Sequence, residues 1–128
     1  MRCKTRNVQE VPPTKLLVVD DEPLIRALLS EVLIEIGFSV RSARDGFSAL
    51  AEVRKEIPDI LLSDLNMPGM SGFELLFVVK RRFSSIRVIA MSATSSGDEV
   101  PSGVAADAFY QKGSGTRSSA QKTLTGRN

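Results

Sequence analysis

Histidine is absent from this 128-residue sequence, and cysteine occurs only once, at Cys3. With so few soft ligands and no imidazole, a Cys/His zinc cluster, an internal disulfide and a Ser-His or Cys-His nucleophile pair are all excluded within the chain. No apolar run approaches the roughly 20 residues that a membrane helix needs. Residues 1–15 also lack the apolar core of a secretory signal, so a cytoplasmic, non-membrane protein is expected. The net charge of +2 hides an asymmetry: residues 16–112 carry 10 basic and 14 acidic side chains, whereas the two ends carry 7 basic and 1 acidic. Dispersed end charges with no aromatics between them read as solubilising tails, and nucleic acid is not an expected partner.

What the chain does have is a composition for one compact core, with 42% hydrophobic and 25% charged residues. Apolar runs alternate with helical periodicity, the pattern of strand-helix units on a parallel sheet covered on both faces. Strands are expected at Lys15 to Asp20, Phe38 to Ala43, the run into Asp64, Ile86 to Met91, and Asp107 to Gln111. Pro23 suits a first helical position, and Ile25, Leu28, Leu29, Val32 and Ile36 recur at helical spacing until Gly37 stops the helix. Asp45-Gly46 opens a second helix with Phe47, Leu50, Val53 and Ile57 inward, ended by Pro58. Ser71-x-x-Glu74 is a capping box that starts a third helix running to about Arg82. Gly97, Pro101 and Gly103 make any fourth helix between Ser95 and Ala106 short or irregular. After Lys112, Leu124 is the only large aliphatic residue, so a fifth helix would be weakly held. The expected division is a flexible basic lead-in over 1–14 and a domain over 15–128 whose last segment, from about 113, is weakly anchored.

Right-handed crossovers leave few topologies for a five-stranded parallel sheet, and the common doubly wound order 2-1-3-4-5 sets strands one and three side by side. Asp20, Asp21 and Asp64 then meet at one crevice, with Ser92 at the end of strand four and Lys112 just past strand five. Three carboxylates so close repel one another and call for a counter-charge, which a hard dication and the Lys112 ammonium can supply. Magnesium is the natural choice, because it prefers oxygen ligands and is held by carboxylates together with phosphate oxygens. Taken singly, each residue has a plainer reading: Asp20 or Asp21 as a helix cap, Ser92 as a turn hydroxyl, Lys112 as a solvated lysine, Phe109 as a core aromatic. Met67 and Met70 read as packing residues, and Lys80-Arg81-Arg82 as a solvated helix end. The joint placement of the carboxylates, the hydroxyl and the lysine favours a phosphoryl site.

Val18-Val19-Asp20-Asp21-Glu22-Pro23 resembles the acidic pair of the receiver domains of bacterial two-component response regulators, and Asp64-Leu65-Asn66-Met67-Pro68-Gly69-Met70-Ser71-Gly72 resembles their phosphoacceptor loop. Ser92-Ala93 is similar to the family's hydroxyl position and Lys112 to its lysine, so the resemblance covers about residues 14–112. It implies a flavodoxin-like α/β fold and a stand-alone, phosphoryl-accepting signalling module that is not an enzyme beyond its own phosphorylation and dephosphorylation. Asp64 would take a phosphoryl group from a partner histidine kinase or phosphotransfer protein. Asp20, Asp21, Asp64 and the backbone carbonyl of Asn66 would hold Mg²⁺; Ser92 and Lys112 would bind phosphoryl oxygens; Ser92 and Phe109 would form the switch. An output protein of unknown identity is implied, and the resemblance admits a weak homodimer. One departure is Gly113, where the family usually has proline after its lysine. Two rival readings are an unswitched, receiver-fold protein-binding scaffold, suggested by the weak fourth and fifth helices, and a small magnesium-dependent phosphatase, suggested by Asp64-x-Asn66.

Overall fold

The computed structural model describes residues 11–92 and 106–111. Residues 1–10, residues 93–105, which take in all but the last residue of the expected fourth-helix segment Ser95 to Ala106, and Lys112 with the segment after it lie outside the described residues. The elements run β1 (Lys15–Val19), α1 (Pro23–Ile36), β2 (Ser39–Ala43), α2 (Gly46–Lys55), β3 (Ile60–Asp64), α3 (Gly72–Arg82), β4 (Arg87–Ser92) and β5 (Ala108–Gln111). All five strands are parallel, in the order β2-β1-β3-β4-β5, which is the doubly wound topology expected from the sequence.

Side chains alternate across each strand, so every strand feeds two cores. Leu17, Val19, Leu61, Val88, Ala90 and Phe109 meet α2 and α3 on one face. Leu16, Val18, Ile60, Leu62, Ile89, Met91 and Tyr110 lie on the other, against Leu33 of α1. Strands buried on both faces explain the near-continuous apolar runs in the sequence.

The inner face of α1 agrees only in part with the expected spacing. Leu33 is fully buried, with Leu29 and Ile36 packed on the same core, whereas Leu28 is about half exposed. Apolar residues surround much of this helix, so spacing alone does not select the inner face, and contact with β1 and β2 decides it. Gly37 ends the helix at φ 124°, and its N–H and that of Phe38 close on the carbonyls of the last turn. In α2, Phe47 and Ile57 are exposed rather than inward. The helix stops at Lys55, so Ile57 lies beyond the last turn, while Gly46, Ala49, Leu50 and Val53 form the buried face.

Candidate functional site

β1 and β3 run side by side with Val19 opposite Ser63, so the residues that follow in each strand, Asp20 and Asp64, emerge at the same level of the sheet's C-terminal edge. Asp20 is fully buried and Asp64 is 3% exposed. Together with the more accessible Asp21 they form a cluster in which one carboxylate oxygen from each lies within 4.8 Å of the others. A backbone amide steadies each buried carboxylate: Glu22 N–H donates to Asp20 Oδ1 at 2.9 Å, and Asn66 N–H donates to Asp64 Oδ1 at 3.2 Å. Three hard oxygen donors at one crevice suit a small divalent cation, so the residues present fit Mg²⁺.

The remaining expected residues are arranged around this cluster. Ser92 ends β4 one step beyond Met91, the register partner of Asp64, and is buried at 2% exposure. Asn66 follows the strand end with its side chain in solvent. Phe109, paired with Ala90, is buried on the α2–α3 face of β5. Lys112 lies outside the described residues, so the structure brings together the carboxylates and leaves the lysine's position undescribed.

The loop from Leu65 to Ser71 is tightly held, in part by two close glycine approaches that the expected packing residues and capping box do not include. Gly72, the first residue of α3, sits so close to the strand end that a Cβ there would come within 2.0 Å of the Asp64 carbonyl oxygen and 2.5 Å of Leu65 Cα. Its N–H donates to the Leu65 carbonyl at 3.2 Å. A Cβ on Gly46, at the start of α2, would lie 2.8 Å from the sulfur of Met70. Met67 is buried and Met70 packs on the same core, which bears out their reading as packing residues. Gly69 takes φ 75° in the turn between them. The expected capping box is present: Ser71 Oγ accepts from Glu74 N–H, and Glu74 Oε1 accepts from Ser71 N–H. A glycine directly after a capping serine is the signal that could have flagged the close approach.

At the far end of α3 the structure corrects the reading of Lys80 as simply solvated. Its Nζ contacts both carboxylate oxygens of Asp107, at 2.7 and 2.6 Å. Asp107 Oδ2 also accepts from Val88 N–H at 2.7 Å, so one carboxylate ties α3, β4 and the start of β5 together. Partial burial pushes the Asp107 carboxyl upward, but the hydrogen bonds from Lys80 and Val88 and the lysine charge outweigh it and hold the group below its ordinary value. Arg81 and Arg82 stay at the surface, with Arg81 stacked over Phe77 at 5.6 Å from the ring centroid.

Comparison with known proteins agrees with this arrangement. The response regulator receiver domain family matches residues 16–111. Sporulation initiation phosphotransferase F of Bacillus subtilis (strain 168) is 43% identical over 86 residues, covering 67% of this chain and 69% of that protein. A much longer curated relative, a sensor histidine kinase, is spanned over only 9% of its length. Among solved structures, chemotaxis protein CheY4 of Vibrio cholerae superposes with a TM-score of 0.79 at 30% identity, covering 91% of this chain and 99% of that one. Response regulator protein TrrA of Thermotoga maritima in complex with Mg(2+)-BeF gives a TM-score of 0.71 at 35% identity, covering 77% and 86%. The structure of histidine kinase ThkA in complex with TrrA gives 0.75 at 33%, covering 85% and 94%. Among the described residues no helix is long and apolar enough to cross a membrane. A family match over most of the chain, a parallel sheet of order 2-1-3-4-5 and carboxylates gathered at its C-terminal edge have one common meaning: the chain belongs to the response regulator receiver domains, which are signalling modules.

Proposed function

We propose that this receiver accepts a phosphoryl group on Asp64 from a histidine kinase or a phosphotransfer protein, and that the phosphorylated state alters binding to an output protein. The observation that carries the proposal is the position of Asp64: buried, at the end of a central strand, within 4.8 Å of Asp20 and Asp21. A carboxylate oxygen attacks phosphorus, the bond to the donor breaks, and Asp64 becomes an acyl phosphate. Such a transfer needs little covalent chemistry from the protein beyond positioning and charge compensation. The Asn66 N–H bond orients the Asp64 carboxylate, and burial between β1 and β4 limits its rotation.

Asp20, Asp21, Asp64 and the Asn66 carbonyl would hold Mg²⁺, which when bound would offset the negative charge shared by carboxylates and phosphoryl oxygens. Ser92 would donate its hydroxyl to a phosphoryl oxygen and Lys112 would pair with another. Phe109, buried beside β4, would respond to the movement of Ser92 and carry the state of the site to the β4–β5 surface. The resemblance to TrrA in complexes with Mg(2+)-BeF and with a histidine kinase supports both the ion and the partner class.

The test is incubation of the full chain with Mg²⁺ and a small phosphodonor, followed by intact-mass measurement. One added phosphoryl group is expected in the wild type and none in Asp64→Asn, because an amide cannot form the acyl phosphate. Equal labelling of the two proteins would overturn the assignment.

A further inference from the structure

The acidic loop between β1 and α1 is held by a cation that neither the composition nor the spacing of carboxylates singled out. The α1 N-cap residue, Glu22, makes no side-chain capping bond, and the first turn of the helix carries no acidic residue. Asp20 instead fixes the N-cap residue itself, by accepting from Glu22 N–H. Its own N–H extends the β1–β2 ladder by donating to the Ala43 carbonyl at 3.2 Å. The third tie comes from Arg26, whose backbone N–H is already fixed to the Glu22 carbonyl at 3.0 Å and whose Nη1 reaches back to the Asp20 carbonyl at 2.7 Å. That carbonyl belongs to the peptide joining Asp20 to Asp21, so the guanidinium sets the plane from which the two carboxylates diverge toward Asp64.

We infer that Arg26 is a positioning residue for the divalent cation: it fixes the Asp20–Asp21 peptide so that the carboxylates present the narrow geometry Mg²⁺ requires. The inference rests on the metal-binding reading above and adds a residue to it. Two effects of a guanidinium in this place oppose each other. As a charge it repels a dication and competes with it for the carboxylates, which would weaken every cation alike. As a tether it pre-orders the ligands, and the two effects separate by ion. Mg²⁺ demands near-ideal octahedral geometry, whereas Ca²⁺ accepts irregular sets of oxygens at longer and more variable distances. Loosening the loop therefore harms Mg²⁺ selectively, and groups that orient metal ligands are worth roughly 10- to 100-fold in affinity. The charge-assisted bond, short and made from a half-buried side chain, favours the tether as the larger effect.

The experiment is calorimetric titration of the full chain with MgCl₂ and, separately, CaCl₂, on the wild type, Arg26→Met and Arg26→Lys, with thermal unfolding recorded for each. Arg26→Met keeps the aliphatic length without the donor and is expected to bind Mg²⁺ about tenfold more weakly while Ca²⁺ affinity changes less than about twofold. Arg26→Lys, which keeps a cation able to reach the carbonyl, is expected to recover most of the Mg²⁺ loss. Tighter binding of both ions by the Met variant would show that the guanidinium acts only as a competing charge. Equal loss of both ions would reduce it to general structure, and a Lys variant no better than Met would remove the donor from the explanation; any of the three overturns the inference. If the Met variant does not fold, the Lys variant decides by itself, a Mg²⁺ affinity within about threefold of wild type being required. A wild type that binds no Mg²⁺ would instead refute the metal site, a different failure from these.

Discussion

Replacing Gly72 with alanine adds one methyl group at the tightest backbone approach in the site. The new Cβ would stand 2.0 Å from the Asp64 carbonyl oxygen, 2.5 Å from Leu65 Cα and 2.8 Å from the Asp64 carbonyl carbon, where ordinary contact begins at 3.4 Å. All three atoms are main chain, so no rotamer change relieves the clash, and α3 and the strand end must part by more than about 1 Å. Overpacking of this kind costs about 1–3 kcal/mol, and an unyielding backbone places this case at the upper end. Alanine returns about 1 kcal/mol through its helix propensity, leaving a net loss of roughly 2 kcal/mol. For a domain of this size that lowers the melting temperature by about 8 °C. The larger effect falls on chemistry: a reacting group displaced by about 1 Å loses on the order of 100-fold in rate. Circular dichroism melts and timed intact-mass measurement with a small phosphodonor read the two quantities on one preparation. Gly37→Ala is the control, since its φ of 124° strains alanine but its surroundings are open and remote from the crevice. It should lose about 1–2 kcal/mol and keep the wild-type labelling rate. A Gly72→Ala protein that labels at the wild-type rate would refute the reasoning, whatever its melting temperature.

Gly46→Ala presses on the Met70 side chain, at 2.8 Å from its sulfur and 2.9 Å from its Cβ and Cγ, and not on the main chain of the strand end, so it should slow labelling less than Gly72→Ala does. Adding Met70→Ala removes the Cγ and sulfur contacts but keeps the Cβ at 2.9 Å, so it should recover part of the rate, and a double variant slower than the single one would contradict that contact. Asp21→Asn should weaken Mg²⁺ binding much more than Glu22→Gln in calorimetric titration, because Asp21 belongs to the carboxylate cluster and Glu22 does not; equal losses would mean the cluster is misassigned. Asp107, held below its ordinary carboxyl value, contributes stability that is fully present above about pH 4 and is lost as pH falls through the depressed value. The stability gap between wild type and Asp107→Asn in denaturant titrations should therefore be wide at pH 7 and shrink as the pH falls below the ordinary carboxyl range; an unchanged gap would exclude the Lys80–Asp107 pair as its source.

The strand ends and the carboxylates were legible in the sequence because apolar runs that stop at acids are local signals, and Asp20 and Asp64 lie where those runs break. Topology then brought them together, since parallel strands with right-handed crossovers allow few arrangements. The inward face of α1 was legible only in part: Leu29 and Ile36 pack inward as their spacing implies, but Leu28 and Leu33 look equally apolar and only tertiary packing separates them. Phe47 and Ile57 follow the same rule, their exposure fixed by where α2 begins and ends. Arg26 and Gly72 escaped for another reason. Each acts through a main-chain atom of a residue six or eight positions away, Arg26 on the Asp20 carbonyl and Gly72 on the Asp64 carbonyl, and such contacts leave little trace in the side-chain pattern beyond the glycine that follows the capping serine.

The pairing of β1 with β3 has a consequence for how the protein comes into being. The two strands are the most distant in sequence of any neighbours in the sheet, their entry points Lys15 and Asp59 lying 44 residues apart, yet their far ends create the crevice. Closing so long a loop costs conformational entropy before any contact rewards it, and chains dominated by such pairings fold slowly. During synthesis, α1, β2 and α2 must all have emerged before β3 can dock beside β1, and until then Asp20 and Asp21 have no Asp64 to face. The acceptor role proposed for Asp64 is in this sense a late property of the folding chain, because the crevice is incomplete until β3 docks beside β1.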